Sequence, residues 1–188
     1  MPGAGKSTVA ASLKERGFLL ITMGDVIREE AKRLNLEPTD ANLGNLMLRL
    51  RKDLGPGAVA KLILTKMDRD INKGNRICKI VIDGIRSTAE VEVLNSVGIV
   101  KLLAIHASTN TRFVYTKERN RSDSPTNVDE FIIRDKRELT IGISEAIALA
   151  DETLSNNNLD IEELKEKAFA ITQRWTNEMD NNLIGSRE

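Results

Sequence analysis

A single cysteine, Cys78, leaves this 188-residue chain without an internal disulfide. It sits in the apolar run RICKIVI, where a buried, inert thiol is the expected state rather than a nucleophile. No eighteen consecutive apolar residues occur and the start carries no signal-peptide pattern, so the chain is read as cytoplasmic, with no membrane partner. An excess of one charge is also lacking. Lys plus Arg and Asp plus Glu are both 28, which argues against a strongly basic nucleic-acid surface while leaving room for local arginine clusters that hold phosphates. Aromatic residues make up only 3% of the chain. Phe113, Tyr115, Phe131 and Trp175 fall on helical patterns and read as packing rather than base stacking. The one histidine, His106, ends a strand-like run and reads as a structural residue, with a role near phosphate as the alternative.

What is present is an alternation. Apolar runs short enough for buried strands cover 17–23, 77–84 and 99–108, with a weaker one at 151–156. Helical periodicity covers 6–16, 25–36, 41–52, 58–73, 88–97, 111–120, 128–140 and 161–175. Strand and helix in turn predict the α/β class, a doubly wound parallel sheet with flanking helices and right-handed crossovers. No repeat interrupts it, so one domain is expected over 1–178, large enough to bury about 70% of its unfolded surface. A frayed tail is expected over 179–188. Ligands bind such sheets at the carboxyl ends of the strands, where Gly24-Asp25, Asp83-Gly84 and His106 fall.

The chain opens MPGAGKST, whose Gly5-Lys6-Ser7 is the second half of the P-loop pattern G-x-x-x-x-G-K-[ST]. Gly3, Ala4 and Gly5 would let backbone N–H groups turn in around phosphate oxygens, and the helix start at Lys6, Ser7 and Thr8 favours anions. Lys6 would reach the β- and γ-phosphates of ATP, and the Ser7 hydroxyl would ligate Mg2+. CKIVIDG is a hydrophobic strand ending in one carboxylate, the form of a Walker B aspartate, so Asp83 is a second magnesium ligand. The bland alternatives are a Gly-rich helix start and an Asp-Gly turn. Two compatible phosphate elements at one sheet edge are much less expected by chance than either alone.

In ITMGDVIREE, Arg28 lies one helical turn beyond Asp25, where its fork would point back at the sheet edge, although on its own it reads better as an ordinary solvated helix residue. Arg86 follows Asp83 by the same spacing and brings a second guanidinium there. The densest cluster is KERNRSDSPTNVDEFIIRDKREL, where Arg119, Arg121, Arg134 and Arg137 occur with Asp123 and Asp135 around a Ser-Pro loop. Lys117 and Lys136 read as part of a solvated face.

With PGAGKST, MGDVIREEA, VIDGIRSTAEVE, AIHAS, RSDSP, RDKREL and ISEAIALAD together, the chain resembles the adenylate-kinase-like P-loop kinases. It is most similar to an archaeal adenylate-kinase-related family with likeness to dephospho-CoA kinase. The resemblance implies a three-layer sandwich that holds MgATP, an acceptor-binding insertion over 41–73 and an arginine-bearing lid over 119–137. It implies that Gly24, Asp25 and Arg28, with Gly84, Arg86 and Glu90, hold a monophosphate acceptor. Arg119 would join the ATP site and Arg121 would touch the transferring phosphoryl group. Arg134 or Arg137 would be the later lid arginine, and the spacing does not choose between them.

Two departures qualify that picture. The family's Asp-Gly-Phe-Pro-Arg is here Asp83-Gly84-Ile85-Arg86, one residue shorter, and its base-reading glutamine is Glu90. A carboxylate accepts from an exocyclic amine but cannot donate to a ring nitrogen, so activity on AMP is in question while AMP binding stays open. The expected function is transfer of the γ-phosphoryl of MgATP to a nucleoside monophosphate or a similar small acceptor. An ATP- or AMP-binding module with weak hydrolysis is the alternative. TKMD at 65–68 fits a guanine-reading pattern, but it lies inside a helical stretch, so a GTPase is not expected. Asn156 reads as the cap of the last helix, with the adenine pocket as a secondary possibility.

The first P-loop glycine would fall one residue before Met1, and the strand that feeds the loop is missing. In the resembling family that strand is central, between the runs at 77–84 and 99–108. Its loss would leave two unpaired edges, with lost ladder bonds at about 1 kcal/mol each. The expectation is a native product that begins roughly eight to ten residues upstream, about one strand's length. An intact mass of the native protein matching a start at Met1 would refute it.

Overall fold

The computed structural model describes residues 1–71, 79–118, 125 and 127–185. Cys78, Arg119, Arg121 and Asp123 therefore lie outside the described residues. All four apolar runs form strands: β1 (Leu19–Thr22), β2 (Ile80–Asp83), β3 (Leu103–His106) and β4 (Glu152–Ser155). They pair in parallel as two ribbons, β1 with β2 and β3 with β4. The registers run Leu19 opposite Ile80 to Thr22 opposite Asp83, and Leu103 opposite Glu152 to His106 opposite Ser155. Among the described residues, β2 and β3 are thus each paired along one edge only. A cleft of about 630 Å³ runs between them, walled by Val81, Ala104, Leu94 and Trp175.

Along the strands, side chains alternate between two apolar layers. Ile21 and Ile82 pack against a core built from α2 (Met23–Arg33), α3 (Asp40–Leu54), α4 (Ala58–Ile71) and α5 (Thr88–Asn95). Met23, Val26, Ile27 and Ala31 form the buried stripe of α2 at helical spacing, and they meet Leu46 and Met47 of α3 and Val59, Ala60 and Ile63 of α4. On the opposite face, Val81, Leu103 and Leu154 pack against α1 (Lys6–Glu15) and α9 (Ile161–Gly185). There Val9 and Leu13 meet Leu164 and Ala168. Helices on both faces of short parallel strands make this an α/β fold of the expected kind.

Helix starts follow local chemistry. Thr39 caps α3 by accepting from Asn42 N, and Ser87 caps α5 by accepting from Glu90 N. Two helices follow α5 at the lid end: α6 (Thr109–Glu118) and α7 (Val128–Ile141), the latter capped by Asn127. Three differences from the sequence reading stand out. A short helix, α8 (Ile143–Ala148), was not expected, because six residues carry too little periodicity to register. The last helix, α9, extends to Gly185, so most of the segment expected as a frayed tail from 179 is helical. No proline interrupts it, and the buried Ile171 and Trp175 anchor its middle. Its cap is Asp160, in a reciprocal box with Glu163, and not Asn156.

Met23 is fully buried where α2 meets the strand ends. Met23→Ala should cost about 2–5 kcal/mol, read as a lower midpoint in urea unfolding.

Candidate functional site

The strands end at one edge, and the N-terminal loop crosses it. Gly3 and Gly5 hold φ of +78° and +96°, a region open to glycine and strained for other residues. Packing closes the same positions. A Cβ on Gly3 would lie 2.5 Å from both the Arg112 carbonyl oxygen and Thr116 Oγ1, and one on Gly5 would lie 2.7 Å from Asn156 Nδ2. Gly5 caps α1, and its carbonyl accepts from Thr8 N and Val9 N at 3.1 and 3.2 Å. The loop's N–H groups and the helix start therefore form a tight backbone cradle of the type that takes phosphate.

Two buried side chains from distant sequence brace that loop. Asn156 Nδ2 donates to the Ala4 carbonyl at 3.1 Å. Arg112, 4% exposed, donates from Nη1 to the Pro2 carbonyl at 3.2 Å and from Nε to the Ala107 carbonyl. Its charge is balanced by Asp135, which accepts from Nη1 and Nη2 at 2.8 and 2.6 Å, and its guanidinium lies over the Phe131 ring. Arg112 did not stand out in the sequence and Asn156 was read only as a cap or adenine-pocket residue, because both brace backbone carbonyls more than a hundred residues away in the chain.

At the mouth of the loop, Ser7 Oγ donates to Asp83 Oδ2 at 2.7 Å. Asp83 is 9% exposed at the end of β2. One hydroxyl and one carboxylate oxygen in contact beside a phosphate cradle suit a hard cation that completes its shell with phosphate oxygens and water, so the residues present fit Mg2+. Lys6 Nζ donates to the Met1 carbonyl at 2.7 Å. Lys6, Ser7 and Asp83 line one end of a cleft of about 120 Å³.

The far wall of that cleft carries Gly24 and Arg28 from α2, Asp40 from α3, Gly84 and Arg86 after β2, and Arg134, Arg137 and Glu138 from α7. Carboxylates stand against these guanidinium groups. Arg28 donates to Asp25 Oδ1 at 2.6 and 3.2 Å, one turn back. Arg86 donates from Nε to Glu138 Oε2 at 2.6 Å and from Nη1 to the Gly84 carbonyl at 2.7 Å. Arg137 forks onto both oxygens of Asp40 at 2.8 Å, and Arg134 Nε stands 3.7 Å from Asp40 Oδ1. Burial alone would raise the Glu138 carboxyl, but Arg86 outweighs it and holds the group below the usual carboxylate range. Asp40 behaves alike, with burial opposed and outweighed by the hydrogen bond and charge of Arg137. Burial would likewise lower Arg86, and Glu138 raises it above its ordinary value.

The model of the AAA domain family matches residues 1–131. The UPF0200 protein of Pyrococcus abyssi is 41% identical over 161 residues, 84% of this chain and 84% of its own length. That of Hyperthermus butylicus is 38% identical over 176 residues, 94% of this chain and 91% of its own length. That of Methanocaldococcus jannaschii is 38% identical over 183 residues, 97% of this chain and 85% of its own length. The chain belongs to the UPF0200 family. Its relatives named here are archaeal, and the matching domain makes it a P-loop protein of the nucleotide-binding, kinase-like type. Among the described residues no helix is long and apolar enough to cross a membrane.

In this UPF0200 chain, the expected residues Gly24, Arg28, Gly84, Arg86, Arg134 and Arg137 gather in the same cleft as Lys6, Ser7 and Asp83. Glu90 is not with them. It is fully buried behind the wall, with Arg51 donating to Oε1 and Arg86 N to Oε2 at 2.7 Å. Its carboxylate holds the backbone of Arg86 in place, instead of facing an acceptor. Asp25 also stands outside the cleft and serves it through Arg28. His106 is exposed, and its carbonyl accepts from Asn156 N at 2.7 Å. Thr65 and Lys66 lie within α4, bonded to the Lys61 carbonyl and to Glu29, away from the cleft.

Glu138→Gln strips the buried countercharge from Arg86 and should cost about 3 kcal/mol at neutral pH. The Glu138 pKa is depressed on folding, so its contribution is present above the unfolded value and lost as pH falls. The stability difference between wild type and variant in urea should thus shrink below about pH 4.

Proposed function

We propose that the chain is a phosphotransferase that takes the γ-phosphoryl of MgATP to a nucleoside monophosphate or a similarly small phosphate acceptor. The observation that carries this is the Ser7–Asp83 hydrogen bond at 2.7 Å, which joins the loop cradle to a cleft whose other wall bears Arg28, Arg86, Arg134 and Arg137. Nucleotide phosphates would rest on the N–H groups of residues 3–8, with Lys6 beside the β- and γ-phosphates. Magnesium, held by Ser7 and Asp83, would supply charge neutralisation for the nucleotide phosphates.

Transfer needs an acceptor oxygen in line with the γ-phosphorus, and little covalent work from the protein. A bond forms from the acceptor oxygen to phosphorus as the bond to the β–γ bridging oxygen breaks, and the acceptor's proton leaves to solvent. Arg28 and Arg86 would position the acceptor's own phosphate. Arg134 and Arg137 would meet the charge that spreads over the transferring group, joined by Arg119 and Arg121, which lie outside the described residues. Closure of α7 over the cleft would exclude water.

The position of Glu90 favours keeping a second reading in view. With its carboxylate engaged by Arg51 and Arg86 N, Glu90 does not face the cleft where the base-reading glutamine of the resembling kinases would stand. An ATP- or AMP-binding module with slow hydrolysis is compatible with that. Fast ADP formation that appears only when one of a panel of acceptors is added supports the transferase, and slow acceptor-independent ADP formation supports the module. In the transferase, Lys6→Ala should lower turnover by about a hundredfold or more. An unchanged rate would overturn the assignment.

A further inference from the structure

Asp40, the first residue of α3, reaches across the cleft to α7, and its carboxylate fills the end of the Arg137 guanidinium with two bonds of 2.8 Å. Arg134 Nε stands 3.7 Å from the same carboxylate. One turn further along α3, Gly44 makes this geometry possible, since a Cβ there would lie 2.6 Å from Arg137 Nη1. The pair is not sealed off. The Asp40 side chain keeps 39% of its exposure, and it shares the cleft with Lys6 and Ser7. Arg137 is not fully satisfied either, because its buried Nε has no hydrogen-bond acceptor among the described residues.

A carboxylate and a phosphoryl group offer a guanidinium the same pair of oxygens, and phosphate offers more charge and a third oxygen. Both cannot occupy one fork. We propose that Asp40 is a built-in competitor for phosphate: it holds the Arg137 fork, straps α3 to α7, and yields the fork to the phosphoryl group of a ligand. This rests on the phosphotransferase reading only for the choice of phosphate as the anion. Asp40 is then a positioning residue that sets the affinity of the cleft, and ligand entry exchanges a contact between two helices for a contact to the ligand.

The test titrates inorganic phosphate by calorimetry into wild type, Asp40→Asn and Asp40→Ala, and melts each protein without phosphate. Both variants should bind phosphate about fivefold more tightly, because no internal carboxylate has to be displaced. Both should melt at a lower temperature without phosphate, since the strap is gone. The gain in affinity should vanish when Arg137→Ala is added. A purely structural Asp40 would lower the melting temperature and leave phosphate affinity equal or weaker, which overturns the proposal. MgATP protection of wild type separates the two claims. Protection with unchanged phosphate affinity in the variants sinks the competitor alone, whereas no protection and no phosphate binding in any of the proteins sinks both.

Discussion

The contact between Ser7 Oγ and Asp83 Oδ2 is where the sequence-distant parts of this protein meet. It joins the first turn of α1 to the end of β2, 76 residues apart, and so brings the backbone cradle to the mouth of the cleft. The contact depends in turn on a loop that can be so tight only with glycine at positions 3 and 5. There the Arg112 carbonyl, Thr116 and Asn156 leave no room for a side chain. Arg112 and Asn156 supply the buried donors that loop carbonyls need, which removes a desolvation penalty and fixes the loop's path. A backbone cradle held in advance costs little reorganisation when an anion arrives.

Across the cleft the electrostatic design is one of compensation. Four arginines face the phosphate end, with Arg28 held by Asp25, Arg86 by Glu138 and Arg137 by Asp40, and with Arg134 also in ion-pair range of Asp40. The pairs differ in depth. Asp25 is largely exposed, Asp40 half-buried and Glu138 almost wholly buried. A deep pair resists exchange because parting it leaves a buried charge, whereas a shallower one can trade its partner for another anion. Arg86 is therefore a fixed part of the wall, further held by the Gly84 carbonyl and by the Glu90 grip on its backbone. The pairs of Arg28 and Arg137 are the shallower ones.

Much of this was legible in the sequence, for a local reason. A buried strand writes its burial into a run of apolar residues, so all four strands were visible, and Val81 and Ile82 pack on the opposite layers that period-two geometry requires. The P-loop half-motif and the strand-terminal Asp83 were equally readable, because each is a short contiguous pattern, although the contact between Ser7 and Asp83 spans 76 residues. Spacing made Arg28 and Arg86 candidates for the sheet edge, and the family resemblance supplied their expected role; both line the cleft. Helix limits were less secure at short or unpunctuated ends, as α8 and the far end of α9 illustrate.

Side-chain pairing was not legible. The partners of Arg86, Arg112 and Arg137 lie 52, 23 and 97 residues away, and no local pattern selects one carboxylate among 28 acidic residues. Glu90 illustrates the limit: its position after Arg86 suggested a substrate contact, and the fold turned it inward to Arg51 and the Arg86 backbone. By itself, then, the sequence determined the alternation of elements, the phosphate loop and the sheet edge at which chemistry can occur, since periodicity and spacing are properties of adjacent residues. Only the tertiary structure decided which arginines reach the cleft, which carboxylates hold them and that Asp40 takes the fork of Arg137, because those depend on distances between helices that folding alone sets.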